Sequence, residues 1–145
     1  MFADFLSRLS APKPEPLSQT DARLALTALL VRVARSDGDY AASEQDRITA
    51  IITKRYGLSG PDAQDLKLRA ETLESEAPDT VRFTDAIKNA IAYEDRVAVI
   101  EALWSVAMAD DQRDDEEVAL LRMVAKFLGV SDMDSNLARQ RATDD

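Results

Sequence analysis

Val33-Ala34-Arg35-Ser36-Asp37-Gly38-Asp39 returns, altered, 73 residues later as Val106-Ala107-Met108-Ala109-Asp110-Asp111-Gln112. Working outward without a gap, Leu26, Leu30 and Val33 fall on Val99, Leu103 and Val106, Glu44 falls on Glu117, and Ile48 falls on Leu121. After a one-residue slip, Gly57-Leu58-Ser59 answers Gly129-Val130-Ser131. Identity is low: Val, Ala, Asp and Glu are the only four matches between residues 33–48 and 106–121. The weight comes from where the matches land, on core spacing, helix exit, loop acid, second-helix acid and glycine stop. Each unit reads as two helices joined by a loop of about six residues, an ordinary length between neighbouring helices. Two such units, packed about a pseudo-twofold axis, would bury their apolar stripes together.

The flanking sequence is helical in the same sense. Ser18 with Asp21 reads as a capping pair, followed by an amphipathic helix with Leu26, Leu29, Leu30 and Val33 on one face, ending near Ser36. Ser43 and Asp46 open a second helix that turns Ile48, Ile51, Ile52 and Tyr56 inward and stops at Gly57. Ser59, Pro61 and Asp62 start a third, with Ala63, Leu66, Ala70 and Leu73. From Thr80 to Asp110 the period is helical, carrying Phe83, Ile87, Ala90 and Ile91, then Val97, Ile100, Leu103, Trp104 and Ala107, with a break near Ala92 to Glu94. Asp114 and Glu117 form a capping box for a helix bearing Val118, Leu121, Val124 and Leu128. No stretch alternates with period two. The fold class is therefore all-α: a compact bundle of about seven helices with two pseudo-symmetric helix-loop-helix halves. Residues 1–17 read as a short amphipathic helix and a proline-spaced linker, 18–135 as the helical domain, and 136–145 as a polar, acidic tail whose end, Ala142-Thr143-Asp144-Asp145, frays.

Composition narrows the chemistry. The 145 residues suit one domain, and 46% hydrophobic content supplies a core. A net charge of -9 repels phosphate backbones and anionic headgroups, so nucleic acid is not an expected partner. The chain has neither cysteine nor histidine, which removes classical zinc sites, histidine-dependent triads and carboxylate-histidine di-iron bundles together. Any bound metal must be held by oxygen. The stripe Phe2, Phe5, Leu6 and Leu9 is too short to span a bilayer and lacks a signal-peptide pattern, so a cytoplasmic location is expected. That stripe suits docking on the protein's own body, with a partner or membrane surface as the alternative.

The two loops concentrate carboxylates. Asp37, Asp39 and Glu44 surround a turn at Gly38, and the second loop holds Asp110, Asp111, Asp114, Asp115, Glu116 and Glu117. Hard divalent cations take several oxygen ligands at once, and calcium accepts irregular geometry more readily than magnesium. Acids near helix N-termini are also favoured by capping and the macrodipole, which accounts for Glu44, Asp114 and Glu117 without any ligand. Asp37, Asp39 and Asp110 lie at helix C-termini or in the turn, where helix electrostatics disfavours an acid. The spacing is not that of an EF-hand, whose glutamate comes at the twelfth position.

At these residues the chain resembles the TerB-like family, named for tellurite-resistance protein B. The resemblance rests on Ala34-Arg35-Ser36-Asp37-Gly38-Asp39 with Glu44, on Asp95-Arg96 leading through Trp104 to Val106-Ala107-Met108-Ala109-Asp110-Asp111 with Glu117, and on Phe127-Leu128-Gly129-Val130. It covers roughly residues 20 to 135. It implies an all-helical fold of two pseudo-symmetric halves, an acidic cluster proposed to bind metal ions, and no demonstrated catalysis. It also implies links to tellurite and other stress responses and to assemblies with membrane-associated partners. The implied ligands are Asp37, Asp39 and Glu44 in one half and Asp110 and Glu117 in the other. The chain departs from the family pattern at Asp111 and Gln112, where glycine and an acid are usual, and Asp114 could replace the missing carboxylate.

The expected function is thus a non-enzymatic, cation-responsive interaction module holding calcium or magnesium, with no organic cofactor and a protein partner. A metal-independent helical adaptor is the alternative. A carboxylate-metal hydrolase has the acids but shows no general base or basic clamp in the motif. Trp104, on the apolar stripe, is expected in the core. Arg96, placed at a helix start, calls for an acidic partner.

Overall fold

Residues 24–34 explain how the helices are arranged. In a computed structural model that describes residues 19–36, 40–76, 84–85, 87–89, 91–108 and 115–144, and the side chains of these except at 19–22, 115–117 and 143–144, Gln19–Ala34 form helix α1. Leu24, Ala25, Leu26, Ala28, Leu29, Leu30, Val31, Val33 and Ala34 are all buried. The sequence suggested a one-sided amphipathic helix. In the structure the side chains between the stripe positions are also apolar, so α1 is covered on every face and forms the centre of the molecule. Thr27, fully buried among them, donates its hydroxyl to the Arg23 carbonyl at 2.7 Å, so the polar atom is satisfied within the helix itself.

Against α1 pack α2 (Ala42–Tyr56), α3 (Gly60–Glu76), α4 (Tyr93–Ala107) and α5 (Asp115–Phe127), and α6 (Asp132–Asp144) packs on α4 and α5. Thr84, Asp85 and residues 87–89 are also helical, with Thr84 and Ile87 buried. The described residues contain no strand. The all-α class is as read from the sequence. Ile48 and Ile52 of α2, Ala63, Ala70 and Leu73 of α3, and Leu121, Val124 and Leu128 are core residues as the periodicity indicates. Trp104 is buried as well, at 1% exposure.

Helix boundaries recur at the sequence offset. Ala34 and Ala107 end α1 and α4, Ala42 and Asp115 begin α2 and α5, and Gly60 and Asp132 begin α3 and α6 one residue closer. The two glycine corners share a geometry. Gly57 has φ 62° and Gly129 φ 72°. The Leu58 N–H donates to the Thr53 carbonyl at 3.1 Å, as the Val130 N–H does to that of Ala125 at 3.0 Å. These are Schellman stops, which use the left-handed region to satisfy the last carbonyls of a helix. Each corner then caps the next helix: Ser59 Oγ accepts from the Asp62 N–H at 3.2 Å, and Ser131 Oγ from the Asp134 N–H at 3.1 Å. In each half the first helix packs most extensively on the third, with the second held more lightly. The correspondence of helix boundaries thus runs over three helices on each side, where the sequence suggested two.

Three local expectations are corrected. Helix α2 starts at Ala42 behind Ala41, which makes no side-chain cap bond; Ser43 lies already inside the helix. Residues 136–144, read as a polar tail, continue α6. Ala138 is buried there, and Ser135 Oγ accepts from the Trp104 indole N–H at 3.4 Å, so this mostly polar helix is docked on α4. Among the described residues Arg96 meets no carboxylate: its guanidinium donates to the Leu128 carbonyl at 2.6 Å, at the negative end of α5. The capping pair at Ser18 and Asp21 and the N-terminal segment 1–17 lie outside the described residues or side chains. None of the described helices is long and apolar enough to cross a membrane.

Candidate functional site at the first acidic loop

The C-terminus of α1 delivers the chain to the first loop through Arg35 and Ser36, whose N–H groups donate to the Val31 and Val33 carbonyls at 2.9 and 3.2 Å. Arg35 is then fixed by α3. One Nη1 contacts the Glu74 carboxylate at 2.8 Å and the Glu71 carbonyl at 3.3 Å. Arg32, one turn earlier, donates to the Glu74 carbonyl at 3.2 Å and lies 3.5 Å from its carboxylate. Two guanidinium groups thus meet the carbonyl end of α3, where the helix dipole favours positive charge.

On the far side of the loop, Tyr40 sits under the Arg35 guanidinium, 5.0 Å from its carbon to the ring centroid. The Tyr40 carbonyl accepts from Gln45 Nε2 at 2.9 Å, and Gln45 Oε1 accepts from Lys67 Nζ at 3.3 Å. Lys67 is buried on α3, so it reaches an amide oxygen in preference to water. Both ends of the loop are therefore clamped to one helix. The Tyr40 hydroxyl is buried, and among the described residues no hydrogen bond of good geometry reaches it. Burial first, then the Glu71 carboxylate, push its pKa well above the ordinary 10.0; Arg35 opposes this and Glu44 adds to it. Tyr40 is a neutral phenol at any physiological pH.

Glu44 is the expected ligand that the structure describes. It lies in the first turn of α2, as the dipole favours, but its exposure is 1%. A carboxylate serving only the dipole can remain in water; one withdrawn this far gives up most of its hydration and depends on what surrounds it. Asp37, Asp39, Asp110 and Asp114 lie outside the described residues, and Glu117 is in α5 with its side chain outside them. Among the described residues no three acids converge in a way that would hold a metal ion. On the approach to the second loop, the Met108 N–H donates to the Trp104 carbonyl at 3.0 Å.

Sequence reading missed the clamp. Arg35 was quoted in the motif without a role, and Tyr40, Gln45, Lys67, Glu71 and Glu74 were not singled out. Arg35 carried a local signal, a cation in the last turn of a helix. Glu71 and Glu74 act from 36 and 39 positions away, and nothing in their own helix announces it.

This is an all-helical module with a clamped acidic loop backed by a buried glutamate. A family model described as tellurite resistance protein TerB matches residues 23–140, which takes in α1 from Arg23 onward, α2 to α5 and most of α6. The chain belongs to the TerB family. Compared with curated proteins and with solved structures, it gives no match.

Proposed function

We propose that the protein is a non-enzymatic module that binds a divalent cation through oxygen ligands and signals the bound state to a protein partner, within the tellurite and stress responses its family name denotes. The observation that carries this reading is Glu44, a carboxylate at 1% exposure five positions after the Asp37-Gly38-Asp39 sequence. The donor chemistry fits: with no cysteine or histidine, carboxylate, carbonyl and hydroxyl oxygens are what the chain offers, and calcium or magnesium takes such sets. Asp37, Asp39 and Glu44 would hold the ion in the first loop, and Asp110, Asp114 and Glu117 in the second. When bound, the ion supplies charge neutralisation. The clamp of Arg35, Tyr40 and α3 holds the loop ends at fixed separation, so that less ordering cost falls on ligand capture. The two loops would be related by duplication about a pseudo-twofold axis.

Thermal melts with and without calcium or magnesium test the reading. A hundredfold excess over Kd stabilises by about 2.7 kcal/mol, roughly 5 to 10 °C for a domain of this length. The expected result is a shift of that order in wild type and none in an Asp37→Ala, Asp110→Ala double variant. Wild type and variant equally unmoved by millimolar cation would remove the metal from the proposal.

A further inference from the structure

An open groove of about 410 Å³ runs between α2, α4 and α6, away from the acidic loop. It is lined by Ile51 and three alanines, Ala98, Ala102 and Ala142, and by four polar side chains, among them Arg55 and Glu101. Ile51 and Ala102 also line a narrow apolar crevice that leads to Leu26 and Leu30 of α1. We propose that this groove is the seat of the chain's own N-terminal segment, with Phe2, Phe5, Leu6 and Leu9 laid against its alanines.

Three observations select this occupant. The segment carries its apolar residues at i, i+3, i+4 and i+7 with Asp4 and Arg8 off that stripe, so as a helix it has one face to bury. A preformed groove between helices would take that face out of water. Large side chains on the segment meet small ones in the groove, the pairing by which two helices interdigitate at close distance. Finally, the tether reaches. The chain joins α1 at Gln19, about 10 Å along the helix from Leu26 at the crevice. The nine residues Ser10 to Ser18, proline-spaced and extended, span up to about 30 Å.

The absence of cysteine makes the test clean. In the full-length chain, Leu6→Cys is paired with Ala102→Cys, and in a control with Leu68→Cys, which is 59% exposed on α3 and outside the groove. Mild oxidation is expected to give a reducible intramolecular link about tenfold faster in the groove pair than in the control. Equal rates would overturn the proposal, as would linked dimers predominating over linked monomers, which would give the groove to a second copy. If Ala102→Cys perturbs folding, Phe5→Asp with Leu6→Asp answers the same question with the groove intact. Emptying the groove is expected to raise binding of an apolar-surface dye by about twofold, and unchanged binding would count against the seat.

Discussion

Two glycines do the same job under different constraints, and they separate backbone strain from side-chain crowding. At Gly57 a Cβ meets nothing within 4 Å, so the cost of Gly57→Ala is that of forcing a side chain into the left-handed region, about 1 kcal/mol. At Gly129 the same atom would come 3.1 Å from Lys88 Cε and 3.2 Å from Arg96 Nη1, and Arg96 is held by its bond to the Leu128 carbonyl. Gly129→Ala is expected to cost about 2 kcal/mol in urea denaturation, with equal losses at the two sites arguing against a fixed Arg96. Tyr40 makes a prediction of a different kind. Its pKa is higher folded than unfolded, so its contribution to stability is fully present below the ordinary value of 10.0 and is lost as pH rises beyond that value toward the folded one. Above that pH the wild-type Tm is expected to fall more steeply than that of Tyr40→Phe. Parallel curves would mean that the phenol ionises in the fold as it does in water. Tyr56, also raised chiefly by burial, contributes to the slope in both proteins.

At the level of helices, stability follows burial of ion pairs more than their number. Glu74 meets Arg32 and Arg35 with its side chain 14% exposed, whereas Arg141 and Glu101 pair at 50% and 34%. Glu74→Ala leaves two guanidinium groups facing the α3 terminus and is expected to cost about 2 kcal/mol; Arg141→Ala is expected to cost under about 1 kcal/mol. Chemical denaturation compares them directly, and a larger loss at Arg141 would reverse the ranking. The elements themselves were legible where a period or a stop was local. Gly57, Gly129, the Ala92 break and the stripes of α2 and α5 were read correctly because each signal sits within one turn of its effect. The central position of α1 was not, since a stripe at i, i+3, i+4 and i+7 is present whether or not the other faces are also covered. Arg96 is a second such case: a cation at a helix start calls for an acidic partner, and what it meets is the carbonyl end of another helix 32 positions away.

Over the whole molecule, the C-terminal helix is structural. Ending the chain at Ser131 removes Ala138 from the core, Ser135 from the Trp104 indole, and the Arg139 guanidinium, 4.8 Å from the Trp104 ring. The truncated protein is expected to lose its cooperative melt and to show red-shifted emission from its single tryptophan. A sharp melt within a few degrees of wild type would restore the polar-tail reading. Of the expected site, the sequence placed Glu44 on the right element but could not show its burial, a property of the tertiary fold and not of its own helix.

The lighter hold on the second helix of each half also has a kinetic side. Helices α1, α3, α4 and α6 share the most extensive interfaces, while α2 and α5, each leading away from an acidic loop, are the least anchored. Amide exchange should therefore begin in α2 and α5 through partial openings that leave the other four helices assembled. Such openings are expected to be faster than global unfolding and independent of it.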